Sequence, residues 1–238
     1  MIRRLILFVL TASACAGPAA AQATFTGPLS AGAFEATLGQ GPIANALRPQ
    51  QQPPQQRSGG TRFVRDPAQL RRAQQQVLAA IRQRSPQVAN ELTPLFSQDL
   101  LAVIGPELKR LGLRDDDMAD MTAVYWITAW EGANGIVGSE TDPKVAKAAR
   151  DQLAGVLAAD PAVATMTDRD KQFVADTMFL QGVFNELRME AAATTGPKLK
   201  QQTSDAIYAE AKQALKTDLR QVTLGVAGFT PTAPGAGQ

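Results

Sequence analysis

The stretch Asp115-Asp-Asp-Met-Ala-Asp-Met-Thr-Ala-Val-Tyr-Trp-Ile-Thr-Ala-Trp130 decides the fold. Acidic residues crowd its first positions, where the dipole of a helix favours negative charge. Met118, Met121, Tyr125, Thr128 and Ala129 then fall on or near one helical face. Trp126 and Trp130 are four apart and stack along the adjoining face. Both tryptophans of the chain and one of its two tyrosines lie here, so the segment reads as the central helix of a packed domain.

The same period extends in both directions. Downstream, the Gly/Asn-rich run Gly132 to Gly138 closes this helix, and Asp142-Pro143 opens the next, to about Ala158. Asp160-Pro161 interrupts, Thr167 or Asp168 caps a long helix to about Thr194, and Gly196-Pro197 precedes a last one to about Leu224. Upstream, Asp66-Pro67 starts a helix to about Arg84, with Leu70, Ala73, Val77, Ala80 and Ile81 on one face. Further segments run from Pro86 to about Leu92 and from about Ser97 to Arg110, the latter broken or restarted at Gly105-Pro106. Leu111-Gly112-Leu113 is a stop signal. No alternating strand competes with the 3.6-residue period. The expectation is an all-α domain over 66–225: an antiparallel multi-helix bundle of about five to seven helices with short connections. A flexible tail is expected at 226–238.

The N-terminal part reads differently. Met1-Ile2-Arg3-Arg4, an apolar run from Leu5 to Ala14 and Ala21-Gln22-Ala23 make a secretory signal peptide over 1–23, with cleavage after Ala23. The expected destination is the periplasm or the outside of a bacterial cell. The apolar run is too short to span a bilayer core of about 30 Å, so no transmembrane helix is expected in the mature chain. Ala12-Ser13-Ala14-Cys15 faintly resembles a lipidation box, with Cys15 as the acylated residue, but lacks the usual branched first position. Residues 24–65 are rich in Gln, Pro and Gly and read as a flexible arm.

Charge sharpens this division. The chain has 24 Lys+Arg and 22 Asp+Glu, and two of the arginines are in the leader. A neutral mature chain gives no reason to expect nucleic acid as a partner, because phosphates call for clustered cations. Residues 24–85 nevertheless hold eight arginines against Glu35 and Asp66, while 86–238 hold 14 basic and 20 acidic residues. The +6 and −6 halves either complement each other within the molecule or equip a basic arm for an anionic surface or acidic partner.

Several chemistries are excluded outright. There is no histidine, hence no Ser-His-Asp triad, His metal cluster or His general base. Cys15 is the only cysteine and lies in the leader. Glu186 and Glu190 are four apart, but a di-iron carboxylate bundle wants paired Glu-x-x-His elements. Asp115, Asp116, Asp117 and Asp120 lack the ligand spacing of a calcium loop and read as capping and dipole residues. No cofactor or metal is expected. Asp120, one turn inside its helix, reads as a structural ion-pair partner for Arg188 or Arg72, and Arg188 as a buried base. Glu131 beside Trp130 is the one weak catalytic candidate, a general acid with Asp142 or Glu140 as second carboxylate. Tyr125, Trp126 and Trp130 line either the bundle core or a groove for glycan, peptide or lipid.

The stretches Leu111-Gly-Leu-Arg-Asp-Asp-Asp-Met-Ala-Asp120 and Tyr125-Trp-Ile-Thr-Ala-Trp130, followed by Gln172 and by Gln181 to Glu190, resemble domain of unknown function 6683, a family of exported bacterial proteins. The resemblance covers about residues 62–222 and implies a helical, exported domain; it implies no activity and no residue roles. The functional expectation is therefore a non-enzymatic exported domain that binds a protein or envelope component. The alternatives are a cell-wall glycan hydrolase using Glu131 and a small periplasmic chaperone with an exposed apolar concave face.

Overall fold

The computed structural model describes residues 60–84 and 86–232. The leader, Cys15 and the arm up to residue 59 lie outside the described residues, as do residues 233–238. The described residues form eight α-helices: α1 (Pro67–Arg84), α2 (Pro86–Phe96), α3 (Leu100–Arg110), α4 (Met118–Ala133), α5 (Pro143–Ala159), α6 (Pro161–Thr165), α7 (Asp168–Thr195) and α8 (Pro197–Leu215). A 3-10 turn (Leu219–Gln221) leads into a hairpin of β1 (Val222–Gly225) and β2 (Gly228–Pro231). The architecture is an all-α bundle whose consecutive long helices reverse direction.

Local chemistry sets the helix starts. Asp99, Asp117, Asp142 and Asp160 each turn a carboxylate onto the first free amides of α3, α4, α5 and α6. Thr167 and Asp170 form a reciprocal capping box at α7. Each such cap is worth about 1 kcal/mol. Gly105-Pro106 does not break α3, which is continuous, because Leu100, Ile104 and Leu108 bury one unbroken stripe. Likewise α2 continues past Leu92 and through Pro94 to bury Leu95 and Phe96.

Helix α4 is the hub. Fourteen of its sixteen residues are buried, so it is enclosed on nearly every side and has no single core face. The two exceptions are Trp126 and Trp130. Glycine lets its neighbours come close. A Cβ on Gly182 of α7 would lie 3.1 Å from Val124 Cγ1 and 3.2 Å from Thr128 Oγ1. A Cβ on Gly132 would lie 2.9 Å from Ile207 Cδ1 of α8. Fully burying Ile127 or Met121 stabilises the fold by about 1.5–3 kcal/mol each, so α4 carries a large share of the core.

The last helix departs from expectation. It ends at Leu215, not near Leu224, because Lys216 turns left-handed at φ 52° and Asp218 caps the 3-10 turn. Residues beyond it pair antiparallel, with Val222 opposite Pro231 and Leu224 opposite Phe229. The hairpin thus takes residues that the periodicity assigns to the helix end and the tail.

Candidate functional site

Three clusters collect the residues singled out above. The first is an ionic knot at the start of α4. Asp120 is buried, and its Oδ1 accepts from Arg150 Nε of α5 at 2.5 Å while Oδ2 accepts from the Arg114 amide at 2.8 Å. Asp117, also buried, caps α4 with one oxygen and lies 3.5 Å from the same guanidinium with the other. Arg150, not Arg188 or Arg72, is therefore the partner of Asp120. Arg188 instead pairs with Glu210 of α8 at 2.8 Å and donates to Asn185 Oδ1. Arg72 pairs with Asp66 in the open. Burial pushes the Asp120 carboxyl above the ordinary carboxylate range, against the opposing pull of Arg150. The remaining carboxylates of the run are turned outward to separate partners: Asp116 to Arg114 and Arg62, Asp115 to Arg65.

The second cluster fastens the root of the arm. Thr61 to Asp66 lie as an extended strap across the N-terminal ends of α4 and α7, so those two helices run side by side in one sense. The Thr61 carbonyl accepts from the Met118 amide, and the Phe63 amide donates to the Asp116 carbonyl. The Val64 amide donates to Asp168 Oδ2 at 2.9 Å. Gln172 brackets Asp66, accepting from its amide and donating to its carbonyl. Arg65 reaches Asp176 Oδ1 at 2.6 Å while its Nε donates to the Asp115 carbonyl, and its guanidinium lies 5.1 Å over the Phe63 ring. Asp176 is 1% exposed. Burial raises its carboxyl above the usual range, and Arg65 and Gln172 hold the rise in check. Such a pair is worth far more intact than broken.

The third cluster lies at the exit of α4. Glu131 Oε1 accepts from Ser139 Oγ and Thr141 Oγ1, each at 3.3 Å, and the group is 9% exposed. Burial raises its carboxyl above the ordinary glutamate range, with the two hydroxyls opposing. Of the proposed second carboxylates, Asp142 is exposed and caps α5 through the Lys144 amide, and Glu140 is exposed on the connecting loop. Tyr125 is buried, and burial holds its hydroxyl far above the usual phenol range. The two indoles lie elsewhere, half-buried under the hairpin. Trp130 Nε1 donates to the Val222 carbonyl at 2.9 Å. Trp126 packs on the Phe229 ring at 5.3 Å and 57°. The Gln152 side-chain amide of α5 accepts from the Phe229 amide at 2.8 Å and donates to its carbonyl at 3.0 Å, as a neighbouring strand would.

A family model described as a family of unknown function (DUF6683) matches residues 1–230. The chain belongs to this family. No curated protein and no solved structure matches it. Membership in DUF6683 agrees with the resemblance carried by Leu111 to Asp120, and it brings no site assignment, so the geometry stands by itself.

Sequence reasoning missed Arg150 and Gln152. Both lie on α5 among alanines, and a long polar side chain on a small-residue face is a signal that it reaches across to a neighbour. It also missed the strap, because Arg62-Phe63-Val64-Arg65 borders a Gln/Pro/Gly-rich run. Phe63, 3% exposed, was the clue: an aromatic residue between two arginines has an apolar socket to fill.

Proposed function

We propose that the chain is an exported, non-enzymatic helical domain that binds a protein or cell-envelope component, in the periplasm or outside the cell. The strap carries this reading. It is held by backbone pairing and by the Arg65–Asp176 pair, which fixes the strap on the domain. Arg62 of the strap and Arg71, Arg72 and Arg82 of α1 are exposed, and Arg48 and Arg57 precede them in the chain. Such a run of arginines suits an anionic surface or an acidic partner. The acids and bases drawn inward also serve internal partners: Asp120 with Arg150, Asp176 with Arg65 and Arg188 with Glu210.

The test is capture from envelope extract by residues 24–238 with mild crosslinking, beside residues 60–238. Capture that weakens with salt is the expected result; capture by the longer chain alone assigns the contact to residues 24–59, and capture by both assigns it to the strap and α1. Capture by neither form contradicts the reading.

One observation favours a second reading. Glu131 is a carboxyl that burial pushes above the ordinary glutamate range, the direction a general acid for glycan cleavage needs. Release of soluble fragments from peptidoglycan, abolished by Glu131→Gln, supports that reading; no release dismisses it. The chaperone reading draws less support, since among the described residues the exposed large apolar residues Val64, Val156 and Val226 lie apart, on the strap, on α5 and in the hairpin turn.

A further inference from the structure

Helix α4 buries everything except its two largest apolar side chains. Trp126 and Trp130 stand at the periphery and meet the C-terminal hairpin. Beside the packing of Val222, Leu224 and Phe229 on the core, three groups engage the hairpin and read little of its particular sequence. Trp130 Nε1 takes one backbone carbonyl, the Gln152 amide takes both the amide and the carbonyl of one residue, and Trp126 takes one aromatic ring. The Gln152 and Trp126 contacts are both met by Phe229 of β2, and any extended segment with an aromatic residue offers what they take, by the logic of strand addition; the Trp130 carbonyl comes from β1. The hairpin itself is slight. It has two strands of four residues, and Thr223, Thr230, Pro231 and Val226 are exposed. A two-stranded hairpin is marginal without support, so these contacts hold it down.

We propose that the hairpin is a displaceable lid on a peptide seat formed by Trp126, Trp130 and Gln152, and that the seat accepts an extended segment of a partner protein carrying an aromatic side chain. The proposal rests on the binding reading above and names a partner class and a place for it. Phe229 is the built-in occupant: its ring covers Trp126, and its backbone amide and carbonyl fill both positions of Gln152. A partner strand displaces it by supplying the same ring and the same two backbone groups. The exchange conserves both Gln152 hydrogen bonds, so it turns on relative affinity and not on new chemistry.

The fold contains a position from which the lid can be lifted. Gly228 has φ +81°, and a Cβ there would lie 2.6 Å from Gln152 Oε1 and 3.3 Å from the Ala148 carbonyl oxygen. Gly228→Ala therefore wedges the hairpin off α5 by a change that lies outside every helix. Trp126 and Trp130 are the only tryptophans of the chain, so emission reports directly on the seat.

The test uses the mature chain with a synthetic peptide of residues 226–232, Val-Ala-Gly-Phe-Thr-Pro-Thr, which has no tryptophan. Gly228→Ala is expected to shift emission to the red with helical circular dichroism unchanged, and to bind the peptide at least about tenfold more tightly than the unaltered chain. The peptide with Phe229→Ala, and the protein with Gln152→Ala added, are expected to lose that binding. Phe229→Ala in the protein is the second way to empty the seat. If neither Gly228→Ala nor Phe229→Ala moves the emission, the indoles are not under a separable lid and the proposal falls. It falls equally if emission shifts but no saturable peptide binding follows, or if the opened chain dimerises by light scattering, which would give the seat to a second copy. Extract capture that persists while the peptide fails overturns the seat and leaves the binding reading intact.

Discussion

Two peripheral segments close the helical core, and they are held by different chemistries. The strap Thr61–Asp66 adds charge to its backbone pairing and its Gln172 bracket: Arg65 on Asp176, the Val64 amide on Asp168, Arg62 near Asp116. The hairpin is fastened by neutral groups: the Trp130 indole, the Gln152 amide and the Trp126–Phe229 contact. The strap ties together the N-terminal ends of α4 and α7, and loosening it leaves a buried carboxylate without its cation. The hairpin covers two indoles that tolerate partial exposure. The one is costly to detach and sensitive to charge; the other is cheap to detach and indifferent to it.

The contrast is easiest to break at Arg65. Arg65→Met leaves Asp176 buried without its guanidinium, and the expected loss is about 3–5 kcal/mol in urea unfolding. A loss below about 1 kcal/mol would mean that backbone pairing, not charge, holds the strap. Arg150→Met is expected to cost less, about 2–3 kcal/mol, because Arg150 is more exposed, although Asp120 and Asp117 both lose a partner. Asp120→Asn added to it should recover part of the loss. Gly228→Ala is expected to cost about 1–2 kcal/mol, since it places a side chain at positive φ and displaces only the hairpin. A loss as large as that of Arg65→Met would erase the distinction between the two segments.

The smallest signal is a pH slope, and its sign follows from burial. Asp176, Asp120 and Glu131 have folded-state values above their ordinary ones. The folded chain therefore binds their protons more tightly than the unfolded chain does. Their contribution is fully present below the ordinary carboxylate range and is lost as pH rises through the folded values. Asp66, Asp116, Asp151 and Asp218 have lowered values, so what they contribute is lost in the opposite direction, below the ordinary range. Stability should thus peak on the acidic side of neutrality. Asp176→Asn should flatten the neutral-side slope, whereas Gly228→Ala should leave it unchanged. Thermal melts across pH read both.

The helices were legible where a capping acid met an apolar period. Asp66-Pro67, Asp142-Pro143 and Thr167–Asp170 mark true starts because the cap is local chemistry. The hairpin was not legible, since Leu219 and Val222 extend the period of α8 and nothing local announces that Lys216 turns left-handed. The centrality of α4 was visible in its composition, but its orientation was not: the indoles, the largest apolar groups, face outward because the interior is already filled by Met, Val, Ile and Ala against Gly182. Ion-pair partners depend on which helices adjoin, and for that reason Asp120 was readable as paired while Arg150 was not readable as its mate.

The most direct measurement is native-state hydrogen exchange on the mature chain beside Arg65→Met. Hairpin amides are expected to open at a far lower free energy than those of α4 and α7 in both, while strap amides are protected in the unaltered chain and lose protection in Arg65→Met. Hairpin amides that exchange only with global unfolding, or a strap whose protection survives Arg65→Met, would contradict this.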